Sequence, residues 1–429
     1  MTNQKYYKSL TLGCKVNTYE TQAVLEELDK LGYAESIDDQ CDIFVINTCS
    51  VTATSDQKSR QKIRNAIKEY PNAIIFVMGC SSQLQGKEIA KIPGVSIIIG
   101  TSSRGNVESL INQYLETKET VYAVEKDNRN QKYEEIAISA YKENTRAFLK
   151  VQDGCNNFCS YCVIPYTRGN SRSRKPEEVI CEVDRLVNNN FKEIVITGID
   201  TASYGEDFKD LNYNFNQLIK DILEHNKKLV RLRISSIEES QIDDELITMF
   251  KENPRIAKHF VIPLQSGSAS VLRRMNRKYT KEEFLEKIKK IRRELPDAAL
   301  AADVIVGFPG ETEEEFEESK EFIKECDFDF LHVFPYSQRP GTVAAKMKDQ
   351  VPADVKKKRV KELIALGNEL QDRYFKKFEG KEVDVIVETW DEKKHLSYGH
   401  SSEYLDVFFE SDVDNRNEVV KVKFHQFKK

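Results

Sequence analysis

Cys155-Asn156-Asn157-Phe158-Cys159-Ser160-Tyr161-Cys162 is the stretch from which the rest of the chain is read. It is a C-x3-C-x2-C run that follows an apolar, strand-like segment at 147–151. Three thiolates on one tight loop hold three irons of a 4Fe-4S cluster and leave the fourth iron open to a substrate. A structural zinc site closes on four protein ligands, and no fourth cysteine or histidine is adjacent. Zinc and unliganded thiols are the alternatives to the cluster.

Working outward, the run opens a series of strand and helix patterns. Candidate strands lie at 147–151, 193–197, 229–234, 259–263, 300–306 and 328–334, with helical segments between most of them, such as 176–188 and 281–293. Six βα units fall short of a closed eight-stranded barrel and predict an open, partial one. A long charged helix is expected at 353–378, then β-patterns at 382–389, 404–410 and 419–424 that suggest a small β-barrel.

Upstream, apolar runs at 9–12, 42–46, 73–78 and 95–99 alternate with helical patterns, the last at 106–115. That alternation predicts a parallel sheet with helices on its faces, an α/β class. Cys14, Cys49 and Cys80 each follow one of the first three runs. In a parallel sheet those positions share the carboxyl edge, where ligands collect. A second trio of thiolates would therefore converge from distant sequence, against the alternative of three separate buried cysteines. Cys41, Cys181 and Cys326 show no such pattern and read as ordinary thiols. The expected division is a sheet domain at 1–117, a polar linker at 118–144, a partial barrel at 145–372 and a small β-barrel at 373–429.

Composition agrees. With 429 residues and 40% hydrophobic content the chain has enough apolar side chains for several cores. No apolar run would span a bilayer and no signal peptide is evident at Met1, so the cytosol is the expected compartment and no membrane partner is expected. Nine cysteines in such a chain point to metal rather than to disulfides. A formal charge of −5 excludes a uniformly basic nucleic-acid binder and leaves only local patches for that role.

The motifs resemble those of the radical S-adenosylmethionine methylthiotransferases. The resemblance is carried by Thr11-Leu12-Gly13-Cys14-Lys15-Val16-Asn17, Asn47-Thr48-Cys49, Met78-Gly79-Cys80, the Cys155–Cys162 run and Tyr166-Thr167-Arg168-Gly169. It continues through Leu264-Gln265-Ser266-Gly267-Ser268, Ile305-Val306-Gly307-Phe308-Pro309-Gly310-Glu311 and Tyr336-Ser337-Gln338-Arg339-Pro340-Gly341-Thr342. It implies an N-terminal α/β domain, a partial-barrel radical domain and a C-terminal TRAM β-barrel. It also implies two 4Fe-4S clusters and S-adenosylmethionine. The cluster on Cys155, Cys159 and Cys162 would bind and cleave S-adenosylmethionine to methionine and a 5′-deoxyadenosyl radical. The auxiliary cluster on Cys14, Cys49 and Cys80 would hold or supply sulfur, and a second S-adenosylmethionine the methyl group. All six cysteines are thus expected catalytic and metal-binding residues. Cofactor contacts are expected at Gly198, Asp200, Arg233, Ser235, Glu238, Gln265 and Gly307. Glu239 departs from a proline common in the family and puts the shape of that loop in question.

The segments after Cys14, Cys49 and Cys162 resemble the branch acting on carbon 2 of threonylcarbamoyladenosine beside the tRNA anticodon. The other branches act on isopentenyladenosine or on an aspartate of a ribosomal protein. A non-catalytic two-cluster RNA-binding or electron-transfer protein is a reading of a different class. Lys58, Arg60, Lys62 and Arg64 at i, i+4 spacing, with Arg168, Arg172 and Arg174 beside the radical loop, are expected to meet the tRNA anticodon arm. A basic C-terminal segment through Arg416, Lys421, Lys423, Lys428 and Lys429 is compatible with RNA. An electron donor such as flavodoxin or ferredoxin is implied.

Overall fold

A computed structural model describes residues 4–139, 141, 145–209 and 211–427; Met1, Lys428 and Lys429 lie outside the described residues. The chain opens with β1 (Lys5–Thr11), α1 (Lys15–Lys30), β2 (Tyr33–Glu35), β3 (Ile43–Thr48), α2 (Ala53–Glu69), β4 (Ile74–Gly79), α3 (Cys80–Ala90), β5 (Ile97–Ile99), α4 (Val107–Thr117) and β6 (Val121–Ala123). The strands form one parallel sheet in the order β2-β1-β3-β4-β5-β6. Its two faces are both apolar, because a buried parallel strand must be covered twice. Tyr7, Val45, Phe76 and Ile99 pack with Val24 and Leu28 of α1 and Leu110 of α4. Ile46, Ile75, Val77 and Ile98 pack with Ile63 of α2 and Ile89 of α3. The chain leaves β1 toward β2 on one side and resumes at β3 on the other. The point between β1 and β3 is therefore the topological switch point, where such sheets place ligands.

The segment expected to be a linker is partly built into the fold. Its β6 extends the sheet at the edge, and Ile136, Ile138 and Tyr141 join the core of the following unit. Residues 140 and 142–144 of that segment are outside the described residues.

The second unit contains β7 (Arg146–Lys150), a two-residue ribbon of β8 (Gln152–Asp153) and β9 (Arg172–Ser173), and α5 (Ile164–Arg168) between them. There follow α6 (Pro176–Asn188), β10 (Glu193–Thr197), α7 (Phe215–His225), β11 (Arg231–Ile234), α8 (Asp244–Glu252), β12 (His259–Gln265), α9 (Ala269–Arg274), α10 (Lys281–Glu294), β13 (Ala299–Val306), α11 (Glu313–Glu325) and β14 (Phe330–Pro335). The strands pair in parallel as β7-β10-β11 and β12-β13-β14, and a Leu232–Ile256 bridge links the two sets. This is the open six-unit barrel expected from the sequence. Alternate residues such as Leu149, Ile194, Ile196, Leu232, Ile262, Leu300 and Val304 face the helices in one continuous core. By the two-residue period of a strand, Arg146, Glu193, Arg231, Arg233, His259, Asp303 and His332 point to the lumen.

Helix α12 (Ala353–Phe378) contributes Leu363, Leu366 and Leu370 to the barrel core and Tyr374, Phe375 and Phe378 to the C-terminal one. One helix thus belongs to both units across the expected boundary at 372. The C-terminal unit is a curled antiparallel sheet of β15 (Glu382–Asp391), β16 (Leu396–Ser401), β17 (Asp406–Glu410) and β18 (Val419–Lys423), in the order β17-β16-β15-β18. It closes the amino ends of the barrel strands: Tyr404 stacks on His259 at 4.2 Å, and Arg231 donates to the carbonyls of His400 (2.9 Å) and Asp384 (3.0 Å). No helix among the described residues is long and apolar enough to cross a membrane.

Candidate active site

Cys14, Cys49 and Cys80 stand at the carboxyl ends of β1, β3 and β4, the first two on either side of the switch point. Gly13, at φ 108°, lets the chain turn there; a Cβ on it would lie 3.1 Å from the Cys49 Sγ. Gly79, at φ 103°, admits no side chain at all, since a Cβ would meet the Asn47 Oδ1 at 2.3 Å. The two glycines keep the space between the thiols clear. Asn17 ties the strand ends together, its Nδ2 donating to the carbonyls of Leu12 (2.8 Å) and Thr48 (3.2 Å). Burial pushes the thiol of Cys49 up and that of Cys80 to about 12. Metal must therefore displace protons to bind there. Ser50 Oγ and Ser81 Oγ, each beside one of these cysteines, are buried without a hydrogen-bond partner. Three thiols, a cleared space and orphaned hydroxyls at a switch point fit a cluster.

The second trio lies on the loop between β8 and α5. Gly154, at φ 72°, starts it, where a Cβ would collide with the Asn170 carbonyl at 2.0 Å. The Cys155 amide donates to the Gly169 carbonyl at 3.1 Å. Backbone amides of Asn157 and Ile164 donate to the sulfurs of Cys155 and Cys162, both at 3.4 Å. Asp200, at the end of β10, accepts from the Cys155 thiol (3.4 Å) and the Asn157 Nδ2 (3.0 Å). Burial, aided by the charge of Glu238, pushes the Asp200 carboxyl up to about 6. Arg277 pairs with Glu238 and reaches the Cys159 Sγ at 3.6 Å. A cavity of about 150 Å³ beside this loop is lined by Asn157, Cys159, Asp200, Glu238 and Arg277. It carries carboxylates and a guanidinium for a zwitterionic ligand.

The trios face each other. Cys80 and Cys162 lie within electrostatic reach of one another. A second cavity, of about 290 Å³, is lined on one side by Val51 and Thr52 of the Cys49 loop. On the other side are Cys162, Ile164, Gln265, Asp303, Ile305 and Phe334. Each thiol trio stands apart rather than closing on a point: among the described residues no group of three His, Cys, Asp or Glu side chains is set for a single ion.

Of the expected cofactor residues, Asp200 and Glu238 line the first cavity and Gln265 the second. Gly198 packs against Gln152 and Thr201, and the Ser235 hydroxyl contacts the Thr197 Oγ1 at 3.4 Å, near the same strand ends. One expectation needs correction. Arg233 is buried at the barrel floor, donating to Glu193 (2.7 Å) and the Ser401 carbonyl (3.0 Å), so it docks the C-terminal sheet. Gly307 follows the carboxyl end of β13 and turns the chain at φ 72°, its amide donating to the Glu311 carboxylate at 2.6 Å.

The loop arginines also differ from expectation. Arg168, Arg172 and Arg174 are buried, not a solvated patch. Arg168 donates to Glu20 (2.8 Å), Asp153 (3.0 Å) and Asn17 (3.2 Å); Arg172 to Asp153 (3.1 Å). Arg174 pairs with Glu182 at 2.7 Å and donates to the Tyr19 hydroxyl. Glu20 also takes Arg104 (2.9 Å) and Lys150 (2.7 Å). Carboxylates from α1, α6 and the ribbon thus hold these side chains inward. Glu20 and Asn17 lie 148 and 151 residues from Arg168, and even Asp153, 15 residues before it, is brought to it only by the turn of the cysteine loop. On α2, by contrast, Lys58, Lys62 and Arg64 are exposed, while Arg60 is half-buried and donates to Gln85 at 2.6 Å.

Lys15, the residue after Cys14, is half-buried. Burial, with the positive charges of Arg233 and Arg146, lowers its ammonium to about 8.

Comparison with known proteins agrees with this geometry. The radical SAM superfamily model matches residues 149–323, and an uncharacterized family, UPF0004, matches residues 6–100. The threonylcarbamoyladenosine tRNA methylthiotransferase MtaB of Bacillus subtilis is 47% identical over 96% of this chain and 92% of its own. The tRNA-2-methylthio-N(6)-dimethylallyladenosine synthase of the same organism is 35% identical over 97% and 83%. Among solved structures, the radical S-adenosylmethionine methyltransferase TsrM of Kitasatospora setae superposes with a TM-score of 0.59 over 80% of this chain and 77% of its own, at 14% identity, which speaks for the fold alone. Two opposed thiol trios on a switch-point sheet and a six-unit barrel, with near-full-length relatives, place the chain in the radical S-adenosylmethionine tRNA methylthiotransferase family.

Proposed function

We propose that the enzyme methylthiolates carbon 2 of threonylcarbamoyladenosine next to the anticodon of tRNA. The observation that carries this reading is the 290 Å³ cavity between the Cys49 loop and Cys162, one wall from each thiol trio. An adenosine there would have a thiol trio on either side. Phe334, 45% exposed at its rim, offers a face on which an unstacked base would lie. Identity of 47% to MtaB against 35% to the dimethylallyladenosine enzyme of the same organism favours the threonylcarbamoyl substrate.

Cys155, Cys159 and Cys162 would hold one 4Fe-4S cluster, and Cys14, Cys49 and Cys80 the other. Bound, these groups and S-adenosylmethionine supply a radical, a sulfur and a methyl group. Asp200 and Glu238 would orient the amino group of S-adenosylmethionine, and Arg277 its carboxylate. Half-buried Ile164 and Ile305 give the cavity apolar walls that would limit water at the reacting carbon. Lys58, Lys62 and Arg64 of α2 would meet tRNA phosphates. A low-potential one-electron donor such as flavodoxin or ferredoxin would serve the radical site, and the work would be done in the cytoplasm.

The test is to reconstitute the enzyme with iron, sulfide, S-adenosylmethionine and a reductant. It is then offered tRNA carrying either modified adenosine, and the nucleosides are resolved by mass spectrometry. Methylthio product on threonylcarbamoyladenosine alone is expected. Product on isopentenyladenosine alone, or none on tRNA, would overturn the reading.

A further inference from the structure

We propose that Asp303 reads the base in the substrate cavity: its carboxylate accepts a hydrogen bond from the N6–H of the adenosine and so refuses a purine with a carbonyl oxygen at that position; this rests on the substrate reading above.

The argument begins with the register of two barrel strands. Asp303 and Ile305 of β13 stand beside His332 and Phe334 of β14, pair by pair. Side chains two apart on a strand share a face and are separated by about 7 Å, the breadth of a purine. The lumen wall is thus layered, with Ile305 and Phe334 toward the carboxyl rim and Asp303 and His332 beneath them. Asp303, Ile305 and Phe334 all line the 290 Å³ cavity. The His332 Nδ1 and the Asp303 Oδ1 share a hydrogen bond of 2.8 Å, which fixes the carboxylate in place. The lumen arginines are taken elsewhere: Arg146 pairs with Glu388 at 3.0 Å, and Arg231 and Arg233 share Glu193 at 3.1 and 2.7 Å. Among the described residues the Asp303 side chain has no hydrogen-bond partner besides His332, and it is 29% exposed. Its second oxygen is open to a ligand.

Apart from Cys162, the other polar side chains on the cavity wall are Thr52, Tyr161, Gln265, Tyr336 and Ser337. They are hydroxyls and an amide, which donate or accept and so do not discriminate. Thr52 and Ser337 are also occupied, accepting from the amides of Ser55 (3.1 Å) and Ala53 (2.9 Å). An ionised carboxylate only accepts. A base stacked on Phe334 would present its deep edge to Asp303. N6 of adenosine is a donor, and it keeps one N–H when a threonylcarbamoyl group is attached. The second N–H of that group folds it back onto N1, so the N6–H points to the N7 side. Asp303 and the threonyl carboxylate would then lie on opposite sides of the base. A carbonyl oxygen in place of N6 would instead face the carboxylate with no proton between them, which penalises the wrong purine. With the N6 edge held below, C2, on the other side of N1, is left toward Cys162 and the Cys49 loop.

The experiment uses reconstituted enzyme as wild type and Asp303→Asn, with iron content and S-adenosylmethionine affinity measured for each. Anticodon stem-loop RNAs carry adenosine, purine riboside or inosine at the modified position, and binding is read by fluorescence anisotropy. Purine riboside removes the N6 donor, and inosine replaces it with an acceptor. Wild type is expected to bind the adenosine RNA about tenfold more tightly than the purine riboside RNA, as one hydrogen bond to a charged acceptor allows. It should bind the inosine RNA more weakly still. The asparagine amide is isosteric and can turn either its oxygen or its nitrogen to the base, so Asp303→Asn should bring the adenosine and inosine RNAs to within about threefold of each other. Equal affinity of the wild type for the three RNAs, a result that needs no variant to fold, would overturn the proposal. So would an undiminished adenosine preference in iron-loaded Asp303→Asn, or a loss of S-adenosylmethionine affinity alone, which would assign the carboxylate to the cofactor. Failure of the wild type itself to modify threonylcarbamoyladenosine would instead bring down the substrate reading, and this inference with it.

Discussion

Replacing Glu20 by glutamine should loosen the joint between the two thiol-bearing domains. Glu20 lies on α1, sixth in the chain after Cys14, and is fully buried. Its carboxylate serves Lys150 at 2.7 Å, Arg168 at 2.8 Å and Arg104 at 2.9 Å; Lys150 and Arg168 belong to the radical unit. Only Asp153 and Glu134 would remain to balance Arg104, Lys150, Arg168 and Arg172. Removing one partner from a buried charge group costs about 3–5 kcal/mol, because the others stay buried and unpaired. At a few degrees per kcal/mol, the unfolding midpoint should fall by about 6 °C or more. The pH dependence has a definite sign. Burial alone would raise the Glu20 carboxyl, but Arg104, Arg168 and Lys150 outweigh it and hold it at about 2, below the usual 4.5. A depressed carboxyl contributes its stability fully above pH 4.5 and loses it as pH falls toward 2. Calorimetry of wild type and Glu20→Gln across that window should therefore show the gap between them closing on acidification. In a cycle with Arg168→Met, the double variant should be less destabilised than the sum by about 1–3 kcal/mol. A gap independent of pH, with strictly additive variants, would refute the reasoning.

Three further outcomes are expected. Changing Cys155, Cys159 and Cys162 to alanine should lower reconstituted iron from about eight to about four per chain and stop S-adenosylmethionine cleavage, read by iron assay and methionine release. Changing Cys14, Cys49 and Cys80 should remove a like amount of iron and abolish methylthiolation while cleavage continues; methylthio product from that variant would contradict the sulfur role. Replacing Lys58, Lys62 and Arg64 with glutamine should weaken tRNA binding and lower the salt slope by about 0.7–0.9 per lost phosphate contact. An unchanged slope in a titration from low to physiological salt would assign those charges to the solvated surface of α2.

Much of this fold is legible in the chain itself. Helix α6 falls where the 176–188 pattern puts it, and the strand cores of β3, β4, β10 and β13 fall on apolar runs read directly. The short edge strands β2 and β6, with three residues each, escape such reading, as does β16, whose Ser397, Gly399 and Ser401 carry little apolar signal. They are strands because a neighbour supplies hydrogen bonds, not because of their own pattern.

The site divides in the same way. The sequence by itself determined the tight cysteine loop and, through the βα alternation, the convergence of Cys14, Cys49 and Cys80 at one sheet edge, since both follow from local periodicity and parallel topology. Only the tertiary structure decided what the charges do. Arg168, Arg172 and Arg174 look like a solvated basic loop until Glu20, Asp153 and Glu182 are folded against them, and Arg233 looks like a cofactor ligand until Glu193 and the C-terminal sheet claim it. Arg168 finds one counter-charge 15 residues away in Asp153 and another 148 residues away in Glu20, and no local period in the sequence encodes which carboxylate folds against which arginine.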